Sequence, residues 1–255
     1  MDASELIASL QPFTKLYIIT SLITTVIVTL KVIQPASFVA FLVPSEWWQI
    51  WKIPGSLTYH GSFDMGYIFH LIFFYMTNNP LEKSFIPALY GDFLMMLGFV
   101  LSFCGIFGAA LNWGGYLVLS DAFTFALTFI YCKKFPNDSI ILFFILKIKT
   151  AYYPFAIMAI SILMGASWKN YVVGLLVGQL YIYLKEILPV TKGLNLFRTP
   201  TFVAEWGHSL IQKFFAAPAA PGNWRAAENA QRERERQAAE DAIFRPFGGR
   251  GQRIG

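Results

Sequence analysis

The chain has 255 residues, of which 56% are hydrophobic and 17% aromatic, and only 14% are charged, against about 25% charged in soluble domains. The net charge is +5, yet long stretches before Leu188 carry no charge at all. Such a composition excludes an ordinary soluble enzyme and reads as an all-α polytopic membrane protein, with the basic excess serving orientation in the bilayer and no nucleic acid as partner.

Residues 1–12 carry Asp2 and Glu5 without a basic n-region, which argues against a cleaved signal peptide. The first apolar run, about Phe13 to Ile33, is long enough to cross and is expected to act as an uncleaved signal-anchor. A loop of about thirty residues follows, Gln34 to Phe63, with Trp47, Trp48, Trp51, Pro35, Pro44 and Pro54. Aromatic and proline content of that kind places it in the interface rather than across the membrane. The second run, about Phe63 to Thr77, ends at Asn78-Asn79-Pro80, and Leu81-Glu82-Lys83 opens a turn. The third runs from about Leu89 to Leu111, ahead of the turn residues Asn112-Trp113-Gly114-Gly115. The fourth, about Tyr116 to Tyr131, stops at Cys132-Lys133-Lys134. Asp138 to Lys149 is an amphipathic piece expected to lie along the surface. The fifth run spans about Tyr152 to Ala166, and the sixth Tyr171 to Leu188. Several runs hold only about 15 to 17 residues, or roughly 22–25 Å of helix, so they call for a locally thinned bilayer or interfacial anchors.

The sixth run contains Gly174-Leu-Leu-Val-Gly178. Its glycines are four apart and share a helix face, and small residues of that spacing let membrane helices approach backbone to backbone. This helix is therefore expected in the middle of the bundle. With the N-terminus inside, the cytosolic side receives Lys15, Lys83, Lys133, Lys134, Lys185, Lys192, Arg198 and Lys213, and the other side Lys31, Lys52 and Lys169. That asymmetry puts both termini in the cytosol. Four regions result: a six-helix membrane domain over residues 1–190, a membrane-hugging juxtamembrane segment over 191–216, a charged linker over 217–243 that includes Arg232-Glu-Arg-Glu-Arg236, and a glycine-rich tail over 244–255.

Candidates for chemistry are few. Cys104 and Cys132 lie in or at the end of apolar runs without CxxC spacing, so no metal and no cofactor is expected. His60 falls in the loop, His208 beyond the membrane and His70 midway along the second run. His70 is read as a structural polar residue facing the bundle interior. Asp92 and Asp121 fall within apolar runs near opposite helix ends, so they do not form one site. A proton relay or transporter would want an ionisable cluster, and the sequence reveals none. Six spans with a small-xxx-small last helix resemble intramembrane rhomboid proteases. A rhomboid serine sits in Gly-x-Ser-Gly at the start of the fourth span. Here Ser120 lies in Val118-Leu119-Ser120-Asp121-Ala122 without either glycine, and Tyr171 stands where the base histidine would be. A serine without its base is a weak nucleophile, so no catalytic residue is assigned.

The chain resembles the derlin family, the catalytically inactive rhomboid relatives of the endoplasmic reticulum membrane. Ile50-Trp51-Lys52-Ile53 with Tyr59-His-Gly61 looks like the family's Trp-Arg loop motif, with Lys52 where Arg is usual. Lys donates from a point charge and lacks the planar fork of Arg. Leu81-Glu82, Gly91-Asp92-Phe93-Leu94, Lys149-Thr-Ala-Tyr152-Tyr-Pro154, Gly174-x-x-x-Gly178 and Thr199-Pro200 with Phe202 match in order. Phe247-Gly-Gly249-Arg-Gly251-Gln252-Arg253-Ile254-Gly255 looks like an SHP box, the ligand of the valosin-containing AAA ATPase. An extended segment of that kind adds to a sheet edge while Phe247 and Ile254 fill pockets. The resemblance implies retrotranslocation of misfolded proteins in ER-associated degradation. Its implied partners are the lipid bilayer, an ER membrane ubiquitin ligase complex, misfolded substrates, that ATPase, and a homo- or hetero-oligomeric assembly. A passive membrane anchor for the ATPase, an active protease and a transporter are the competing readings.

Overall fold

The structure, a computed structural model, describes residues 10–31, 40–41, 52–61, 63–86, 89–111, 116–117, 119–142, 146–163, 165–188, 191, 200–215, 230, 233–234 and 237. The described chain is mostly helical. The helices are α1 (Pro12–Thr29), α2 (Lys52–Thr58), α3 (Met65–Lys83), α4 (Tyr90–Leu111), α5 (Ser120–Lys134), α6 (Tyr153–Leu163), α7 (Trp168–Ile182) and α8 (Thr201–Phe215). Two short antiparallel ladders accompany them. Strand β1 (Ala40–Phe41) pairs with β2 (Tyr116–Leu117), and β3 (Ser139–Leu142) pairs with β4 (Leu146–Lys149) with Ser139 opposite Lys149. The chain forms two compact units, Met1–Ile86 with Phe93–Tyr181, and Pro87–Asp92 with Ile182–Gly255.

In the first unit, burial on α1 is inverted relative to a soluble protein. Thr14, Tyr17, Ser21, Thr24, Thr25 and Val28 face inward, while Leu16, Ile19, Leu22, Ile23 and Val26 are exposed, Leu16 at 62% and Ile23 at 54%. Water would drive the aliphatic face inside. Lipid has no such preference, and the polar face turns inward because hydroxyls need partners that hydrocarbon lacks. Thr24 Oγ1 donates to the Thr20 carbonyl and lies 3.1 Å from Thr58 Oγ1, and Ser21 Oγ lies 3.1 Å from Tyr67 Oη. Helices α1 and α4 are long and apolar enough to cross a membrane, and Thr150–Leu163 is a shorter apolar helix.

The centre of this unit is α5, on which every residue from Ala122 to Cys132 is buried. The expectation that the Gly174–Gly178 helix occupies the middle is corrected accordingly. Helix α7 buries one face, with Tyr171, Val173, Gly174, Val177, Gly178 and Tyr181, and exposes Leu176 on the other. The glycines do face a neighbour, and that neighbour is α5. A Cβ on Gly174 would lie 2.5 Å from the Ala122 carbonyl oxygen, and one on Gly178 2.9 Å from the Phe129 ring. Helix α5 has 15 residues, about 22 Å of rise, short against a hydrocarbon core of about 30 Å.

Several boundaries differ from those read in the sequence. The second run does not end at Asn78-Asn79-Pro80, since α3 continues to Lys83 with Pro80 inside it. Proline removes one helical bond, but tertiary bonds hold the last turn: Gln11 N donates to Asn79 Oδ1 at 2.9 Å, and Glu82 receives the start of α1. The fourth helix starts at Ser120, because Tyr116–Leu117 is a strand, and it extends through Lys133 and Lys134, where cations suit the C-terminal end of the helix dipole. Within the piece from Asp138 to Lys149, strand β3 pairs with strand β4. In the expected interfacial loop, Ala40–Phe41 is a strand and Lys52–Thr58 a helix. Trp47, Trp48 and Trp51 lie outside the described residues.

The second unit contains α8 and the start of α4. Gly91 meets α8 at backbone distance, since a Cβ there would lie 2.6 Å from Ala204 Cα. Asp92 is 3% exposed and forms an ion pair with Lys185 at 3.3 Å. Lys185 lies in a π-helical turn, Tyr183–Ile187, that continues α7. On α8, Phe202 and Trp206 are exposed at 71% and 60%.

Candidate functional site

Three ionisable residues that are 10 and 51 positions apart in sequence converge in the first unit. His60 precedes Gly61, whose φ of +94° suits glycine and turns the chain toward α3. Asp64 caps α3 by accepting from Tyr67 N at 2.8 Å, which fixes the start of the helix and sets His70 nearly two turns in. Asp121 lies in the first turn of α5. One ring nitrogen of each histidine and one Asp121 oxygen lie within 4.8 Å of one another. The imidazole centroids of His60 and His70 are 3.8 Å apart. The group lines a cavity of about 360 Å³ that Asp64, Ser161 and Tyr171 also border.

The polar surroundings of these three residues are asymmetric. His60 Nδ1 lies 3.1 Å from the Thr58 carbonyl, an acceptor only, so Nδ1 carries the proton and Nε2 keeps a lone pair. Tyr17 Oη is 3.4 Å from that Nε2 but gives its single proton to the Leu57 carbonyl at 3.0 Å. Asp121 Oδ2 accepts from Asn170 Nδ2 at 3.3 Å. His70 Nε2 is buried and has no hydrogen-bond partner among the described residues. Burial holds the His60 imidazole below its usual pKa, with Asp121 acting against that shift.

The reading that no ionisable cluster exists is therefore corrected. In the sequence His60 falls in a loop, His70 in a span and Asp121 at a distant helix end, and the packing of α2, α3 and α5 brings them together. Ser120 adjoins the cluster but is not activated by it. Its hydroxyl, with the residue fully buried, donates to the Tyr59 carbonyl at 2.5 Å rather than to an imidazole.

The other residues singled out in the sequence occupy different places. Leu81 and Glu82 are fully buried. The Glu82 carboxylate accepts Phe13 N at 2.8 Å on one oxygen, and Thr14 N at 2.9 Å and Thr14 Oγ1 at 2.8 Å on the other. It thus supplies the N-terminal cap that Gln11 does not give α1 and meets the positive end of the helix dipole. Tyr152 is 66% exposed, whereas its neighbour Tyr153 is fully buried beside buried Pro154. Lys52 starts α2, with its side chain outside what is described, as are Trp51 and the whole tail with Phe247, Gly249, Gly251, Gln252, Arg253, Ile254 and Gly255. Sequence reasoning also passed over Ala204-x-x-Gly207, a small-residue pair that forms the α8 side of the Gly91 contact.

A model of the Der1-like family matches residues 10–201. Among relatives, Derlin-1 of Arabidopsis thaliana is 29% identical over 208 residues, covering 78% of this chain and 75% of that protein. Derlin-2.1 of Zea mays is 26% identical over 201 residues, covering 74% and 80%. Derlin-1.2 of Zea mays is 26% identical over 239 residues, covering 91% and 96%. With an inverted, hydroxyl-lined first helix, apolar helices of spanning length and a family match over three quarters of its length, the chain belongs to the Der1-like family of helical membrane proteins.

Proposed function

We propose that this protein is a non-proteolytic, rhomboid-like component of ER-associated degradation. It would pass misfolded proteins across a locally thinned ER membrane and recruit the valosin-containing AAA ATPase through residues 244–255. In this reading α1, α3, α4, α5, α6 and α7 are six spans, both termini are cytosolic, residues 1–190 form the membrane domain, and 191–216 and 217–243 tether the tail. Substrates arrive with an ER membrane ubiquitin ligase complex, and copies of this or related chains assemble around them.

The observation that carries the non-proteolytic part is Ser120, whose hydroxyl is taken up by the Tyr59 carbonyl at 2.5 Å. Without a base to receive its proton it is a poor nucleophile. Membership in the Der1-like family supports the transport part, as does the 15-residue length of α5.

The experiment is complementation of cells that lack the protein, with degradation of a misfolded membrane substrate as the readout. Wild type and Ser120→Ala should restore degradation equally. Phe247→Ala should reduce it, because loss of an aromatic anchor costs about 2 kcal/mol or more of ATPase binding. Cleavage of a transmembrane substrate in liposomes that Ser120→Ala abolishes would overturn the non-proteolytic reading. A tail-only fusion on an unrelated membrane anchor that restores degradation would instead favour passive anchoring.

A further inference from the structure

We propose that His60, His70 and Asp121 form a binding site for one divalent transition-metal ion of the zinc class. The inference goes beyond the transport reading and does not depend on it.

Two imidazoles and one carboxylate are the donor set that zinc and its neighbours prefer, whereas calcium and magnesium want mostly oxygen. The three donor atoms lie within 4.8 Å of one another. A tetrahedral ion with bonds of about 2.1 Å holds its donors about 3.4 Å apart, so closure from 4.8 Å requires a contraction of at most about 1.4 Å at side chains that border a cavity.

The surroundings match those of metal ligands. A ligating histidine usually gives its second ring N–H to a backbone carbonyl or carboxylate, which fixes the tautomer and leaves the other nitrogen free. His60 does this toward the Thr58 carbonyl at 3.1 Å. The Asp121 carboxylate is oriented by Asn170 Nδ2 at 3.3 Å. His70 has a buried Nε2 without a partner among the described residues, an arrangement that costs stability unless something answers it. Thr25 Oγ1, Asn78 Oδ1 and Tyr153 Oη are also buried without a partner among the described residues, but only His70 sits beside a second imidazole and a carboxylate at a cavity. Three protein ligands next to about 360 Å³ of cavity leave the fourth coordination position for water or an incoming ligand, as in open rather than closed zinc sites.

The test uses the full chain in detergent, freed of tag and stripped with a chelator, then titrated with cobalt(II) chloride and followed by visible absorption, with zinc chloride as competitor. The expected result is saturation at one equivalent with a tetrahedral cobalt spectrum that zinc abolishes. Asp121→Asn and His70→Ala should each weaken binding by at least about tenfold, and Asn170→Ala by about tenfold. His208→Ala, away from the cluster in sequence, should bind as wild type. X-ray absorption of the zinc-loaded wild-type protein gives a readout that does not depend on the folding of any variant. Two imidazole nitrogens with oxygen in the first shell support the site, and a sulfur-rich shell overturns it. Failure of folded wild type to bind either metal at 100-fold excess overturns it as well, as does wild-type affinity in both Asp121→Asn and His70→Ala.

Discussion

Helix α3 carries two buried polar assemblies, one near each end, and they are built on opposite principles. Toward its C-terminus, Glu82 is fully buried and both oxygens accept hydrogen bonds from the first turn of α1. Toward its N-terminus, His70 meets His60 and Asp121 beside a cavity and keeps a buried nitrogen without a partner among the described residues. Twelve residues, about 18 Å of rise, separate them. The first assembly is closed: every donor it needs is supplied by the chain, so it fixes how α1 enters the bundle. The second is open, with donor atoms converging on space. Polar groups inside membrane proteins are expensive unless answered, and the contrast distinguishes a carboxylate that builds the fold from a cluster that waits for something outside it.

The largest effect should come from breaking the closed end. Glu82→Ala strips the acceptor from two backbone amides and one hydroxyl of α1. Each buried donor left unsatisfied costs about 1–3 kcal/mol, so a loss of about 3 kcal/mol or more is expected in reversible unfolding from mixed micelles. Glu82→Gln, which keeps one carbonyl oxygen, should recover part of it. A change below 1 kcal/mol for Glu82→Ala would mean that the α1 amides find other acceptors and that the end is not closed.

An intermediate effect should come from the contact that holds α7 on α5 next to the open end. A methyl group on Gly174 meets the Ala122 carbonyl at 2.5 Å and Ala126 N at 3.1 Å, backbone atoms that cannot step aside. On Gly178 the first obstacle is the Phe129 ring at 2.9 Å, a side chain, and the backbone oxygen of Ala126 is farther, at 3.2 Å. Overpacking typically costs about 1–3 kcal/mol, so Gly174→Ala should lose about 2–3 and Gly178→Ala about 1. Gly98→Ala, with nothing within 4 Å of its Cβ position, serves as the neutral control. Equal losses at 174 and 178 would show that the helices separate as a unit rather than at the backbone contact.

The two assemblies also differ in how far the sequence reveals them. Apolar runs locate the helices, and the Gly174–Gly178 spacing marks a packed face, because both signals are local and periodic. Leu81-Glu82 is visible as a motif, but its purpose is not, since the α1 amides it binds lie 68 and 69 positions away. The His60–His70–Asp121 cluster is harder still. Nothing local distinguishes His60 from a loop histidine, and Asp121 alone reads as a favourable first-turn acid. Only the packing of α2, α3 and α5 brings them together. The α3 end is hidden from the sequence for a similar reason: Pro80 is a local stop signal that tertiary bonds to Asn79 and Glu82 override. The Tyr116–Leu117 and Ser139–Lys149 ladders escaped because strands of two to four residues carry too little alternation to stand out.

The smallest effect should come from the open end, and its smallness is what sharpens the comparison. His70→Leu is close to isosteric and removes a buried nitrogen that has no partner among the described residues. Relief of that unsatisfied atom offsets the loss of the His60 ring contact at 3.8 Å, which is worth about 0.5–1.5 kcal/mol. In chelator-treated protein the variant should unfold within about 1 kcal/mol of wild type, in contrast to Glu82→Ala. Adding zinc at 100 times its dissociation constant should stabilise wild type by about 2.7 kcal/mol and leave His70→Leu nearly unmoved. A loss as large as that of Glu82→Ala without metal would show that His70 is as fully satisfied as Glu82, and the distinction between a closed and an open end would fall. A small loss with no response of wild type to zinc would keep the open end but remove the metal from it.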